Sequence, residues 1–145
     1  MEKLNFMEWA ECERDFIRRT EKDAEKIESM LKIADKRLNF IKSVAVNSNN
    51  VSFVAENYYE IIKELLSAFL LKNGLKSKNH QCLISYFYKK HHQYEFEARL
   101  ILQMSYFRNR LNYYGEAIDR AFYDKHKEDF ERIIDLIKGL IRENE

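Results

Sequence analysis

Not one residue of this chain is proline and only three, Gly74, Gly115 and Gly139, are glycine. Proline removes a backbone donor and glycine frees the backbone, so both mark the places where helices stop and hairpins turn. A chain of 145 residues almost without them is driven to long helices joined by short polar connections. With 46% apolar side chains, one domain over residues 1–145 is long enough to bury roughly two-thirds of its unfolded surface around one core. The longest apolar stretches, such as Leu65-Leu66 and Ala68 to Leu71, fall far short of the roughly 20 residues that span a bilayer. No membrane partner is expected.

Glu2, Lys3 and Glu8 surround Trp9, without the basic start and apolar run of a secretory leader, so a cytoplasmic location is expected. Cys12 and Cys82 are far apart in sequence and lack companion ligands; reduced thiols are the expectation, and a disulfide would be a surprise.

The apolar residues Ile27, Met30, Leu31, Ala34, Leu38, Ile41 and Ala45 recur at three and four, the stripe of one helix face. Upstream, Phe6, Trp9, Ala10, Phe16 and Ile17 form a looser stripe, and the charged stretch Arg18 to Lys26 is expected to continue as helix. Asn47, Ser48, Asn49 and Asn50 favour turns and N-caps. A helix then follows whose apolar residues, from Val54 to Leu70, cover a wide arc, as in the middle of a bundle. Gly74 ends it. Ser77 or Asn79 caps a short helix holding Cys82 to Phe87, and Gly115 stops the next, which carries Phe96 to Leu111. The last runs from Ile118 to Ile141, with a break open around Tyr123 to His126. Short connections imply antiparallel neighbours: an all-α, up-and-down bundle of four to five helices.

The net charge of +1 hides an uneven distribution. Residues 65 to 115 hold eight basic and two acidic side chains, and no acid lies between Glu64 and Glu95. Lys72, Lys76, Lys78, Lys89 and Lys90 fall there with His80, His91 and His92. Such a segment attracts phosphate through its field and counterion release, though it is also what a solvated surface looks like.

Polar groups crowd the end of an apolar helix in Phe107-Arg108-Asn109-Arg110-Leu111-Asn112-Tyr113-Tyr114-Gly115. Together with Tyr59-Glu60-Ile61-Ile62-Lys63-Glu64-Leu65-Leu66-Ser67-Ala68 and Leu71-Lys72-Asn73-Gly74, this segment resembles the HEPN family over roughly residues 25–142. The resemblance implies a helical bundle that dimerises, and either a metal-independent ribonuclease or a partner of a minimal nucleotidyltransferase in a toxin-antitoxin pair. The family signature is an Arg, often followed by Asn, then four to six residues and a His. Arg108 and Asn109 match its start, but Tyr113 and Tyr114 stand where the His is expected.

RNA cleavage by a 2′-hydroxyl needs proton transfer and a counter-charge for the phosphorane. Arg108 and Arg110 can supply the charge; a tyrosine, with a pKa near 10, is a poor base. Arg108, Asn109, Tyr113 and Tyr114 are therefore the catalytic candidates, and Lys72, Lys76, Lys78, Lys89, Lys90 and Arg110 the nucleic-acid contacts. The expectation is a binding module for RNA or a protein partner, a homodimer, with little or no cleavage. An active ribonuclease and a purely structural bundle stay open, the latter with Arg108, Asn109 and Asn112 only satisfying polar contacts between helices. No cofactor is implied. His80 with Cys82 and His91 with His92 do not share helix faces, which argues against a zinc site. The Tyr86-Phe87-Tyr88 triplet could stack bases or belong to the core.

Overall fold

The computed structural model describes residues 4–143; Glu2 and Lys3, read above as part of the N-terminus, lie outside them. It is mostly helical. In order come α1 (Trp9–Asp15), β1 (Arg18–Arg19), α2 (Ala24–Lys42), α3 (Val51–Lys72), β2 (Leu75–Lys76), α4 (His80–Lys90), a single 3-10 turn (His92–Tyr94), α5 (Glu95–Tyr114) and α6 (Arg120–Arg142). No helix among the described residues is long and apolar enough to cross a membrane.

The turns follow local chemistry. Between α2 and α3, Asn47 Oδ1 accepts from the Asn49 and Asn50 amides at 2.8 and 3.0 Å, while Asn50 Oδ1 accepts from the Asn47 amide at 2.9 Å. Gly74 and Gly115 follow α3 and α5 at φ +73° and +65°, the left-handed conformation that side chains with a Cβ resist. Of the two candidate caps for α4, Asn79 is the one used: its Oδ1 accepts from the Cys82 amide at 3.2 Å. α6 runs unbroken through Tyr123 to His126.

α3 is the centre. Its apolar residues are buried on nearly all sides, Ile61, Ile62, Leu65 and Ala68 completely. α2, α4, α5 and α6 cover it, apart from a stripe at Asn57, Glu60, Lys63, Glu64 and Ser67 that stays partly open.

Residue pairs between elements give the directions. Ser52 Oγ accepts from the Ile118 amide, Tyr58 donates to Glu131, and Lys72 donates to the Leu140 carbonyl, so α3 and α6 run parallel. α2 is antiparallel to α6, through Asp35 with Lys138 and Glu28 with Arg142. α5 is antiparallel to α4, through Gln81 with Ser105 and Tyr88 with Glu95. α4 in turn runs beside the second half of α3 in the same direction, with Phe69 against Phe87 and His91. The up-and-down order therefore fails at one step, from α3 to α4. Residues 73–79 are long enough, when extended, to return about 20 Å along α3 before α4 starts.

Two further expectations are corrected. The stretch Arg18 to Lys26 is not helix: β1 pairs antiparallel with β2, Arg18 opposite Lys76 and Arg19 opposite Leu75, and α2 begins afresh where Asp23 Oδ1 accepts from the Lys26 amide at 3.0 Å. A local run of charges is compatible with helix, and only the partner strand decides otherwise. The cysteines are not free thiols either. Cys12 and Cys82 form a disulfide with their Cα atoms 5.5 Å apart, because the N-terminal segment runs back along α4. Phe6 stacks on Tyr88 at 4.3 Å and Trp9 meets Tyr86 at 5.5 Å; the Met7 and Leu4 carbonyls accept from Ser85 and Arg99.

Candidate functional site

The open stripe of α3 meets the start of α4 and the second half of α5. There Glu60 bridges two cations: Oε2 lies 2.7 Å from Lys63 Nζ and Oε1 lies 3.4 Å from Arg108 Nη2. Both cations are largely buried, with only 16% and 22% of their side chains exposed. Arg108 Nη1 donates to Asn109 Oδ1 at 3.3 Å, while Arg108 Nε is buried without a hydrogen-bond partner. Carboxylates and phosphates commonly take a guanidinium through two parallel N–H bonds. In Arg108 the Nη2 contact is long and Nε has none.

His80, the first residue of α4, faces the same charges. Burial, and then the Lys63 and Arg108 cations, hold its imidazole below the ordinary 6.5, against an opposite pull from Glu60 and Glu64. The next residue, Gln81, donates to Ser105 Oγ at 3.1 Å. Ser105 also adjoins the Tyr59 phenol, whose pKa burial raises while Ser105 and Arg108 draw it back. Three helices thus supply one polar cluster.

The sequence pointed to Arg108 and Asn109, and they are in the cluster. Tyr113 and Tyr114 are not: five and six residues on, they are turned about 140° and 120° around α5 from Arg108, and they stand 74% and 67% exposed. Arg110 is engaged elsewhere, its Nε and Nη2 on the Glu116 carboxylate and its guanidinium 4.3 Å over the Tyr114 ring. His80, Lys63 and Glu60 were missed as a group. The spacing of Glu60 and Lys63, three apart on one helix face, was a signal; nothing local in the sequence linked them to His80 or Arg108.

The basic segment is divided. Lys72 lies apart, donating to the Leu140 and Glu143 carbonyls at the end of α6. Lys76 and Lys78 are exposed before α4, whereas Lys89 and Lys90 are exposed at its far end, Lys89 lying 5.6 Å over the Trp9 ring. Of the aromatic triplet, Tyr86 and Phe87 are core and Tyr88 is covered by Phe6. Among the described residues no three His, Cys, Asp or Glu side chains gather as metal ligands.

The chain matches no family model, no curated protein and no solved structure.

Proposed function

We propose that this chain binds RNA through its phosphodiester backbone, one phosphate lying on Arg108, with weak or no cleavage. The observation that carries this reading is the partly buried Arg108 guanidinium, whose buried Nε has no partner and whose carboxylate neighbour is held at 3.4 Å. Leaving a buried donor without a partner is costly to a fold, and a small shift of the side chain would open Nε and one Nη to a phosphate as a pair of charge-assisted bonds. Lys63 and His80 add donors on the same side. The resemblance of the Arg108-Asn109 segment to HEPN proteins supports the same reading. It extends the proposal to a homodimer and to a nucleotidyltransferase-type protein partner.

The second reading is cleavage, and the placement of His80 favours it. An imidazole held neutral beside two cations has the protonation state of a general base. It would take the 2′-hydroxyl proton as O2′ bonds to phosphorus and the bond to O5′ breaks, O5′ taking a proton from solvent water, which leaves a 2′,3′-cyclic phosphate and a 5′-hydroxyl. Arg108 and Lys63 would meet the charge on the phosphorane.

Fluorescence anisotropy with a short labelled single-stranded RNA tests both. Arg108→Ala should weaken binding about tenfold or more, the loss of one charge-assisted contact. Unchanged affinity in folded Arg108→Ala removes the reading. Products resolved on a denaturing gel separate the two: release of cyclic-phosphate ends that His80→Ala abolishes and Arg108→Ala reduces would replace binding alone by cleavage.

A further inference from the structure

The two-residue ladder sets like charges against each other. Arg18 of β1 is paired directly with Lys76 of β2, and residues so paired project to the same face of an antiparallel ladder, where like charges destabilise it. So short a ladder has little to set against that repulsion. Lys78 follows two residues later. With Ser77, Asn79 and Asp15 these cations line a cavity of about 430 Å³. The one acid there, Asp15, accepts from Arg14 Nε and Nη2 at 3.0 and 2.9 Å and feels the Arg18 charge only through space, so it offsets that cation in part. Among the described residues Arg18, Lys76 and Lys78 make no salt bridge or side-chain hydrogen bond. Arg99, Arg132 and Lys138, by contrast, are each held by a carboxylate.

The pairing is held from outside the ladder. The disulfide ties α1 to α4 at Cys12, the buried residue of α1, and the Thr20 amide donates to the Gly74 carbonyl at 2.9 Å. The cavity therefore exists only while the N-terminal segment is docked, because Asp15 and Arg18 come from that segment and Lys76 to Asn79 from the loop before α4. That loop leads directly into His80, which shares the field of Lys63 and Arg108. Lys78 of the cavity thus stands two residues before His80 of the Arg108 cluster.

We propose that the Arg18–Lys76–Lys78 cavity is a second phosphate subsite, receiving a neighbouring phosphate of the same RNA strand, and that the Cys12–Cys82 disulfide keeps it assembled. The inference rests on the RNA-binding reading of the Arg108 cluster. A bridging anion would relieve the repulsion that the ladder otherwise carries, and RNA is the source because two cationic sites so near in the chain suit a strand with successive phosphates.

The test measures binding of a short single-stranded RNA, and separately of inorganic phosphate, to the full oxidised chain and four variants checked for folding by circular dichroism. Arg18→Gln/Lys78→Gln should weaken RNA binding about tenfold and flatten its salt dependence by roughly 1.4 in log–log slope, two phosphate contacts on a single strand. Cys12→Ser should give a similar loss, and adding it to the Gln pair should give little more. RNA affinity and slope unchanged in the Gln pair, while Arg108→Ala abolishes binding, would overturn the subsite and leave the Arg108 reading standing. Loss in the Gln pair with Arg108→Ala unaffected would keep the subsite and remove the Arg108 reading. Saturable inorganic phosphate binding with no RNA binding would overturn the RNA assignment for both.

Discussion

Arg108 and His80 differ from the other charged residues in how their surroundings treat them. Arg132 is matched by Glu97 at 2.6 Å and Asp129 at 3.2 Å, and Arg99 by Glu95 at 2.7 Å; Arg108 has one carboxylate at 3.4 Å and a bare Nε. His80 is held neutral chiefly by burial, then by Lys63 and Arg108, and burial lowers His91 as well. In the unfolded chain each takes up its proton near 6.5, and in the folded chain only at lower pH. Just beneath 6.5 the unfolded chain thus binds more protons, so stability falls with decreasing pH across that window and levels off once the folded imidazoles are protonated. Urea unfolding should show the decline, and His80→Gln should remove part of it and leave the share of His91. In NMR titrations the His80 pKa should rise when phosphate is added, because an anion favours the imidazolium. A His80 that titrates at or above 6.5 without phosphate would contradict its burial beside the two cations. Arg108 was legible as a charge inside an apolar helix. His80 was not, because a half-buried residue at a helix start looks the same in sequence as a solvated one.

At the scale of elements, glycine had three different roles that substitution by alanine separates. Gly115 sits at φ +65° in open space, so Gly115→Ala brings backbone strain alone and should destabilise by about 1 kcal/mol. At Gly74 a Cβ would also come 3.4 Å from the Thr20 carbonyl, the edge of ordinary contact, so the same change should cost that strain with at most a small shift of the N-terminal segment. Gly139 lies inside α6 with nothing within 4 Å of an added methyl; Gly139→Ala should stabilise by about 0.5–1 kcal/mol. Thermal melts rank the three, and a destabilised Gly139→Ala would mean that α6 is packed more tightly than that open space allows. The helices α2 to α6 were legible because each carries its own stripe, caps and stops. The break between α1 and α2 was not, since β1 holds only two residues and its partner lies beyond α3. Asp23, a good N-cap just before Ala24, was the local signal that α2 starts anew.

For the whole molecule, the disulfide closes a loop between residues 70 apart, worth about 4 kcal/mol of lost unfolded-state entropy in the chain-closure model. That cross-link joins α1, whose one buried residue is Cys12, to a helix in the core. We propose that two copies associate through the exposed end of α5, where Tyr113 and Tyr114 stand out and Arg110 is already neutralised by Glu116. Light scattering should give twice the mass of one chain at micromolar concentration, and Tyr113→Ser/Tyr114→Ser should return it to one; a monomeric mass for the unaltered chain rules the association out. The lack of proline, the spacing of apolar residues and the glycine stops were enough to determine that this chain is helical, where its helices from α3 onward lie, and that α3 is inside. These are local properties, set by backbone sterics and by periodicity within one helix. The parallel step from α3 to α4, the Cys12–Cys82 bond, the opposition of Arg18 to Lys76 and the meeting of His80 with Arg108 were decided only in the tertiary structure. Each joins residues from separate elements, and no pattern within a single helix records which of its neighbours will pack against it.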